Sequence, residues 1–162
     1  MVLAIIADTH LPRGARAIPA DCVERMASAD LIVHAGDITS LAVLEQLRAY
    51  GEVAAVHGNV DDDAVRSALP AELELAVRGR HVAVIHDAGR RMGRLDRLRR
   101  RFRHAEAVIF GHSHLPLHET GPDGFQIFNP GSPTDRRRAP RHTMGMALCD
   151  SSQLSFQIVE LD

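Results

Sequence analysis

Met1-Val2-Leu3-Ala4-Ile5-Ile6-Ala7-Asp8-Thr9-His10 is a continuously apolar run, rich in β-branched residues, that stops at three polar ones. Such a run reads as a strand buried on both faces. In open α/β sheets ligands bind beyond the C-terminal ends of the strands, which is where Asp8 and His10 fall. If the strand continues through them, their spacing of two puts both side chains on one face. An acid and an imidazole aimed at one point suit a metal ion of intermediate hardness. Taken alone, the stretch reads more simply as a turn in which Asp8 caps the next segment.

Four more apolar runs end in the same way. Leu31 to Ala35 leads into Gly36-Asp37, and Val53 to His57 into Gly58-Asn59. Arg80 to Ile85 leads into His86-Asp87, and Ala107 to Phe110 into Gly111-His112-Ser113-His114. The intervals from Asp8 to Asp37, Asn59, His86 and His112 are 29, 22, 27 and 26 residues, each about one structural unit. Each position has a dull explanation: a helix cap for Asp37, a left-handed turn for Asn59, a satisfied core histidine for His86, turn residues for His112 and His114. All of them at the same end of their strands read as one cluster on one sheet edge. Two Asp, one Asn and four His make seven ligand-type residues, too many for one ion and suited to two. Asp37, central among them, can bridge. Two ions about 3.5–4 Å apart clamp the attacking and leaving oxygens in phosphoester displacement. With no Cys in the set, Mn, Fe, Zn or Ni fits better than a soft metal.

Between these runs, helices are expected from Pro19 to about Ala29, from a Ser40 cap to about Ala49, from Asp61-Asp62-Asp63 to Leu69, and from Arg90 to His104. Glu72 to Val77 and Arg80 to Ile85 form a hairpin about Arg78-Gly79. The C-terminal part is strand-like over Leu115–Glu119, Phe125–Phe128, Met144–Cys149 and Leu154–Val159. The pattern implies βαβαβ units feeding a parallel sheet, with a later antiparallel sheet packed on it.

The totals bound the function classes. At 162 residues the chain is expected to form a single domain over 1–162, with 45% hydrophobic content and a net charge of −2. That balance is not that of a general nucleic-acid binder. All 19 basic residues are Arg, so a lysine nucleophile or Schiff base is excluded. With no Trp and one Tyr, a stacking platform for bases is not expected. Cys22 and Cys149 read as two buried free thiols in a reducing compartment, with a disulfide left open. The absence of a basic n-region and of a bilayer-length apolar run points to a soluble, cytoplasmic protein with no membrane partner. Arg90 to Arg103 carries eight Arg and one Asp; a solvated face is the simpler reading, an acidic or nucleic-acid partner the lesser one. Arg136-Arg137-Arg138 and Arg141 follow the rigid turn Asn129-Pro130-Gly131-Ser132, and Arg136 and Arg137 are candidate substrate-phosphate contacts, with Arg13 a weaker one.

Asp8-x-His10, Gly36-Asp37, Gly58-Asn59, His86 and Gly111-His112-x-His114 together resemble the motif set of the calcineurin-like metallophosphoesterase superfamily. The compact length and the Asn-Pro-Gly-Ser turn are similar to its small prokaryotic phosphodiesterase subgroup. The resemblance implies an α/β fold, a four-layer αββα sandwich of two mixed β-sheets flanked by helices. It implies that Asp8, His10, Asp37 and His114 hold one divalent transition metal, and Asp37, Asn59, His86 and His112 a second, with Mn the first expectation. It implies in-line attack on a small phosphodiester by a bridging hydroxide, with Asp37 and Asn59 as catalytic residues and Asn59 also touching substrate. Two positions depart from the pattern. Larger members carry a proton-donating His after Gly-Asn, where this chain has Val60; the small subgroup lacks it too. The departure predicts best activity on esters with good leaving groups. Asp61 is a substitute acid, although capping is the simpler role for it. The second departure is Asp87, where Gly is common. The superfamily also contains a non-catalytic scaffold, a retromer subunit, so that role is an alternative, as is a nucleic-acid-associated protein. Nucleic acid as substrate and a homo-oligomer are left open.

Overall fold

A computed structural model describes residues 1–12 and 16–161. The elements follow in chain order as β1 (Val2–Ile6), α1 (Ala20–Ser28), β2 (Leu31–Ala35), α2 (Leu41–Arg48), β3 (Val53–Val56), α3 (Asp63–Ala68), β4 (Glu72–Val77) and β5 (Arg80–Ile85). They continue as α4 (Arg94–Arg101), β6 (Ala107–Ile109), β7 (Leu117–Thr120), β8 (Gln126–Asn129), β9 (His142–Cys149) and β10 (Leu154–Leu161). Two five-stranded sheets result, ordered β10-β9-β1-β2-β3 and β4-β5-β6-β8-β7.

Both sheets are mixed. In the first, β1, β2 and β3 are parallel, while β9 runs antiparallel to β1 and β10 to β9. In the second, β5, β6 and β8 are parallel, with β4 and β7 antiparallel at the edges. The four-layer arrangement is therefore as the resemblance implied, but the division into an early parallel and a late antiparallel sheet is not. The last hairpin returns to the first strand, where β9 covers an edge of β1 that would otherwise leave a buried apolar strand unpaired. The second sheet builds its own parallel centre from β5, β6 and β8.

Alternation along each strand assigns the layers. Leu3, Ile5 and Ala7 face the other sheet, whereas Ala4 and Ile6 pack on Cys22 and Met26 of α1. Likewise Val82 and Val84 point between the sheets, and Ala83 and Ile85 meet Leu98 of α4 and the adjoining Phe102. Between the sheets Phe128 is fully buried and stacks on Phe156 with centroids 4.8 Å apart. Gly145 makes this possible, since a Cβ there would run into the Phe128 ring. Cys22 and Cys149 are free and buried in different layers.

Several local expectations shift. The last helix starts at Arg94 rather than Arg90, because Gly93 takes φ 64 and Arg97 folds back onto the carbonyls of Ala88 and Arg90 at 2.9 and 2.7 Å. Ser40 occupies its N-cap position without a side-chain bond to the helix. The cap of α3 is Asp62, whose Oδ1 accepts from the Val65 N–H at 2.8 Å, and not Asp61. Among the described residues no helix is long and apolar enough to cross a membrane.

Two substitutions test this packing by urea denaturation. Phe128→Ala is expected to cost about 3–5 kcal/mol, the range for emptying a buried aromatic site. Asp62→Ala is expected to cost about 1 kcal/mol, the loss of one helix cap.

Candidate metal centre

The C-terminal ends of β1, β2, β3, β5 and β6 reach one edge of the two sheets, and the ligand-type residues sit just beyond them. They do not extend their strands. β1 ends at Ile6, and Asp8 and His10 take φ 56 and 47. Asp37, His112 and His114 are also left-handed, at φ 61, 68 and 58. The expectation that an extended strand aims Asp8 and His10 together is thus replaced by two left-handed residues flanking Thr9. His112 and His114 repeat the device about Ser113. Such conformations cost on the order of 1 kcal/mol or more each outside Gly. Backbone bonds hold them: the Asp8 N–H donates to Gly36 O at 3.0 Å and the His10 N–H to Asp37 O at 3.1 Å.

The side chains converge. Asp37 Oδ2 lies 3.5 Å from His10 Nε2 and 3.3 Å from His86 Nε2. His10 Nε2 is 3.1 Å from His114 Nε2, which is 3.5 Å from Asp8 Oδ1. On the other side Asn59 Oδ1 is 3.0 Å from His86 Nε2 and 2.9 Å from His112 Nδ1. Two groups of candidate ligand atoms emerge, Asp8 with His10 and His114, and Asp8 with Asp37 and His86, each within 4.8 Å of one another. Asp8 enters both groups by distance, while one Asp37 oxygen faces histidines on both sides. Gly58 is required here because a Cβ would overlap the Asp37 carboxylate, and Gly36, at φ 91, because one would lie 2.6 Å from His86 Nδ1.

The electrostatics fit a cation. Asp8 is fully buried and its Oδ2 has no hydrogen-bond partner. Burial pushes its carboxyl up to about 7, with Asp37 adding to the shift and His86 opposing it. A buried carboxylate oxygen without a partner is costly unless a counter-charge faces it. Burial also works to raise Asp37, but hydrogen bonds from His86 and the Val60 N–H, with the charges of His86 and His10, outweigh it and hold the carboxyl at about 2. Burial opposes a charge on His86, yet Asp37 draws its pKa up overall. His114 is pushed down to about 4, mainly by burial. His86 Nδ1 lies 2.8 Å from Ala35 O and His114 Nδ1 2.5 Å from Asp135 O, contacts in which the ring N–H donates. With Nδ1–H donating, a neutral ring presents its Nε2 lone pair to the cluster, as a metal ligand requires; His86 does so once it gives up the Nε2–H it shares with Asp37.

A family model described as the calcineurin-like phosphoesterase superfamily domain matches residues 1–152. The chain belongs to this superfamily. A probable metallophosphoesterase of Methanocaldococcus jannaschii is 32% identical over 165 residues, covering 99% of this chain and 82% of that protein. Among solved structures, Vps29 of Entamoeba histolytica complexed with zinc superposes with a TM-score of 0.78 at 19% identity, covering 100% of both chains. A structure described as a novel archaeal phosphodiesterase gives 0.75 at 20% identity, covering 99% of this chain and 100% of that one. At these identities the two structures share the fold.

Within this phosphoesterase fold the other candidates take distinct places. Asp61 is buried beneath Asn59, where its Oδ2 accepts the Gly58 N–H at 2.6 Å and its Oδ1 the Thr39 N–H at 2.5 Å. Both oxygens are used to hold the loops that carry Asn59 and Asp37. Val60 contributes its backbone, donating to Asp37 Oδ1 at 3.0 Å. Asp87 is exposed and accepts the Gly89 N–H at 2.7 Å, closing a turn beside His86. Arg136 turns its guanidinium onto Ala139 O at 2.9 Å. The charge of Arg137 is felt at both Asp8 and His114. Arg13 lies outside the described residues.

Sequence reasoning passed over the supports. Asn129 Nδ2 donates to Gly111 O at 2.8 Å, and Ser132 Oγ to Asp8 O at 2.9 Å. Thr134 Oγ1 donates to Thr9 O at 2.5 Å, and Thr9 Oγ1 lies 3.1 Å from Nε2 of His34, whose pKa burial pushes down to about 3. Arg66 clasps the carbonyls of Asn59 and Asp61 at 2.7 and 2.8 Å from outside. Only the Asn-Pro-Gly-Ser turn offered a local signal, and that signal spoke of rigidity rather than of what it braces.

Asp61→Ala separates two roles. As a support, its loss is expected to weaken Mn²⁺ binding about 10–100-fold, the usual effect of removing a residue that orients metal ligands. Titration calorimetry checks this; unchanged affinity with a lowered kcat would instead mark Asp61 as a proton donor.

Proposed function

We propose that the protein is a metal-dependent phosphodiesterase with a dinuclear centre. The observation that carries the reading is the placement of Asp37 Oδ2 between His10 and His86, with two buried carboxylates and four imidazoles gathered round it. In this reading Asp8, His10, Asp37 and His114 hold one divalent transition metal, and Asp37, Asn59, His86 and His112 the other, with Asp37 shared. Mn is the first expectation, with Ni, Fe or Zn as alternatives suited to the same N/O donors. Two such cations supply Lewis-acid neutralisation of the phosphate oxygens and a water acidic enough to attack phosphorus near neutral pH.

The chain's own groups do the rest. Asn59 Oδ1 faces the two histidines of its side, and the Asn59 amide is left to contact substrate. His112 is exposed and stands at the mouth, while Asp8, His10 and His114 close the floor. Arg137 is the arginine whose charge reaches the centre, and it is the substrate-phosphate contact in this reading; Arg136 is engaged with its own turn. Val60 offers no proton to a departing alkoxide, and the Asp61 oxygens both accept backbone bonds. Esters with acidic leaving groups are therefore the better substrates, and phosphomonoesters the poorer ones.

The decisive experiment compares bis(p-nitrophenyl) phosphate with p-nitrophenyl phosphate in Mn²⁺-loaded protein. Turnover of the diester should exceed that of the monoester, and Asp37→Ala should lower kcat/KM about a hundredfold or more, several kcal/mol of transition-state stabilisation. Metal analysis should find about two ions per chain, falling to about one in His10→Ala as the site on that side weakens first. Full metal loading without turnover would favour the scaffold alternative.

A further inference from the structure

Of the basic groove beside the His112–His114 loop, the reading above uses Arg137 alone. Two adjoining hollows of about 290 and 500 Å³ meet at Ser113, Leu115 and Arg138. The first includes Arg137 and starts at Ser113, between His112 and His114; the second runs on to Arg91 and Arg94 at the start of α4. Every ionisable group lining them is an arginine. That is a local excess of positive charge on a chain whose net charge is −2.

These arginines differ from the others around α4. Arg99 pairs with Asp123 at 2.6 Å, Arg101 with Glu72 at 2.5 Å and Arg80 with Glu106 at 2.5 Å. Arg97 is spent on the carbonyls of the preceding loop. Among the described residues no carboxylate pairs with Arg91, Arg137 or Arg138. Arg94 is fixed by a bond to Gly89 O at 2.8 Å and by stacking 5.0 Å above the Phe110 ring, yet its buried Nε has no partner. Unpaired guanidinium groups lining a concave path match phosphate oxygens, which accept from the planar fork.

We infer that this groove is a subsite for a second phosphate group on the substrate, reached when the reacting phosphodiester lies at the metal centre. The inference rests on the phosphodiesterase reading for its orientation. It selects diesters whose arm carries a further phosphate over those with a neutral or cationic arm. Oligonucleotides and small nucleotide diesters that carry a second, terminal phosphate share this chemistry.

The test uses the p-nitrophenyl ester of thymidine 5′-phosphate and the same ester phosphorylated on its 3′-oxygen, so that the leaving group is constant. The Mn²⁺-loaded protein should prefer the 3′-phosphorylated ester by about tenfold or more, through KM, as one charge-assisted contact supplies. Arg91→Ala/Arg138→Ala should lose most of that preference, Arg91→Lys/Arg138→Lys should keep part of it, and added salt should reduce it. A further nucleotide on the 3′-phosphate distinguishes the sources: added gain points to a nucleic-acid chain, no added gain to a small diester with one further phosphate, and both support the subsite. Equal kcat/KM for the two esters, or a preference intact in the alanine variant, overturns it. Calorimetry with thymidine 3′,5′-bisphosphate against the 5′-monophosphate gives an arm independent of turnover. If neither ester is hydrolysed but the bisphosphate binds more tightly and the alanine variant abolishes the difference, the diesterase reading fails while the groove stands. If binding shows no difference either, both fail.

Discussion

Two carboxylates removed from water need a counter-charge, and most of the structure serves that need. Asp8 and Asp37 are 0% and 2% exposed. Among the described residues neither is balanced by an arginine at contact distance; their neighbours are imidazoles and backbone N–H groups. Ion pairs with arginine would satisfy the carboxylates and leave nothing for a cation. Imidazoles can instead offer lone pairs, and the carbonyls of Ala35 and Asp135 fix His86 and His114 in the ring orientation that does so. The same arrangement explains the left-handed backbone. Five of the gathered residues take positive φ. Five such conformations together cost a substantial share of the about 5–15 kcal/mol that keeps a domain folded. Hydrogen bonds at the backbone of Asp8, His10, Asp37 and His112, and at the His114 ring, hold them in place.

Those bonds come from distant parts of the chain, which explains what the sequence discloses and what it hides. Strand ends followed by Asp, Asn or His are local patterns, and their side chains meet because parallel strands deliver their C-terminal ends to one edge. The backbone geometry at those ends is not local. Asp8-Thr9-His10 looks like the continuation of a strand until Gly36 O and Asp37 O capture its amides. Asp61 looks like a helix cap, since it opens a run of three acids at the start of α3, but only Asp62 caps the helix while Asp61 turns inward to Gly58 and Thr39. The return of β9 to β1 is hidden for the same reason: pairing between residues more than a hundred positions apart leaves no periodic trace.

Charge distribution shows the same difference between local and spatial order. Along the chain, Arg90 to Arg103 is a single basic block. In space it divides: Arg97 binds loop carbonyls, Arg99 and Arg101 find carboxylates, Arg94 stacks on Phe110, and Arg91 faces the groove where Arg138 arrives from the other side. A block that reads as one cationic surface is therefore divided between structural contacts and the groove that Arg91 and Arg94 line. This division argues against a general nucleic-acid-binding helix more strongly than composition does.

Val60 combines a side chain with no proton to give and a backbone that braces the cluster. Its side chain is 41% exposed and brings no acid to a leaving group. Its N–H still binds Asp37 Oδ1, and the Gly58 N–H still binds Asp61, so the turn keeps Asn59 against His86 and His112. The position therefore braces the cluster through its backbone while its side chain brings no proton. In the proposed phosphodiesterase reaction, rate would then depend on how readily the departing group bears negative charge and on how well the remote part of the substrate is held. Binding energy from arginines beyond the centre would supply the second of these where the first is weak.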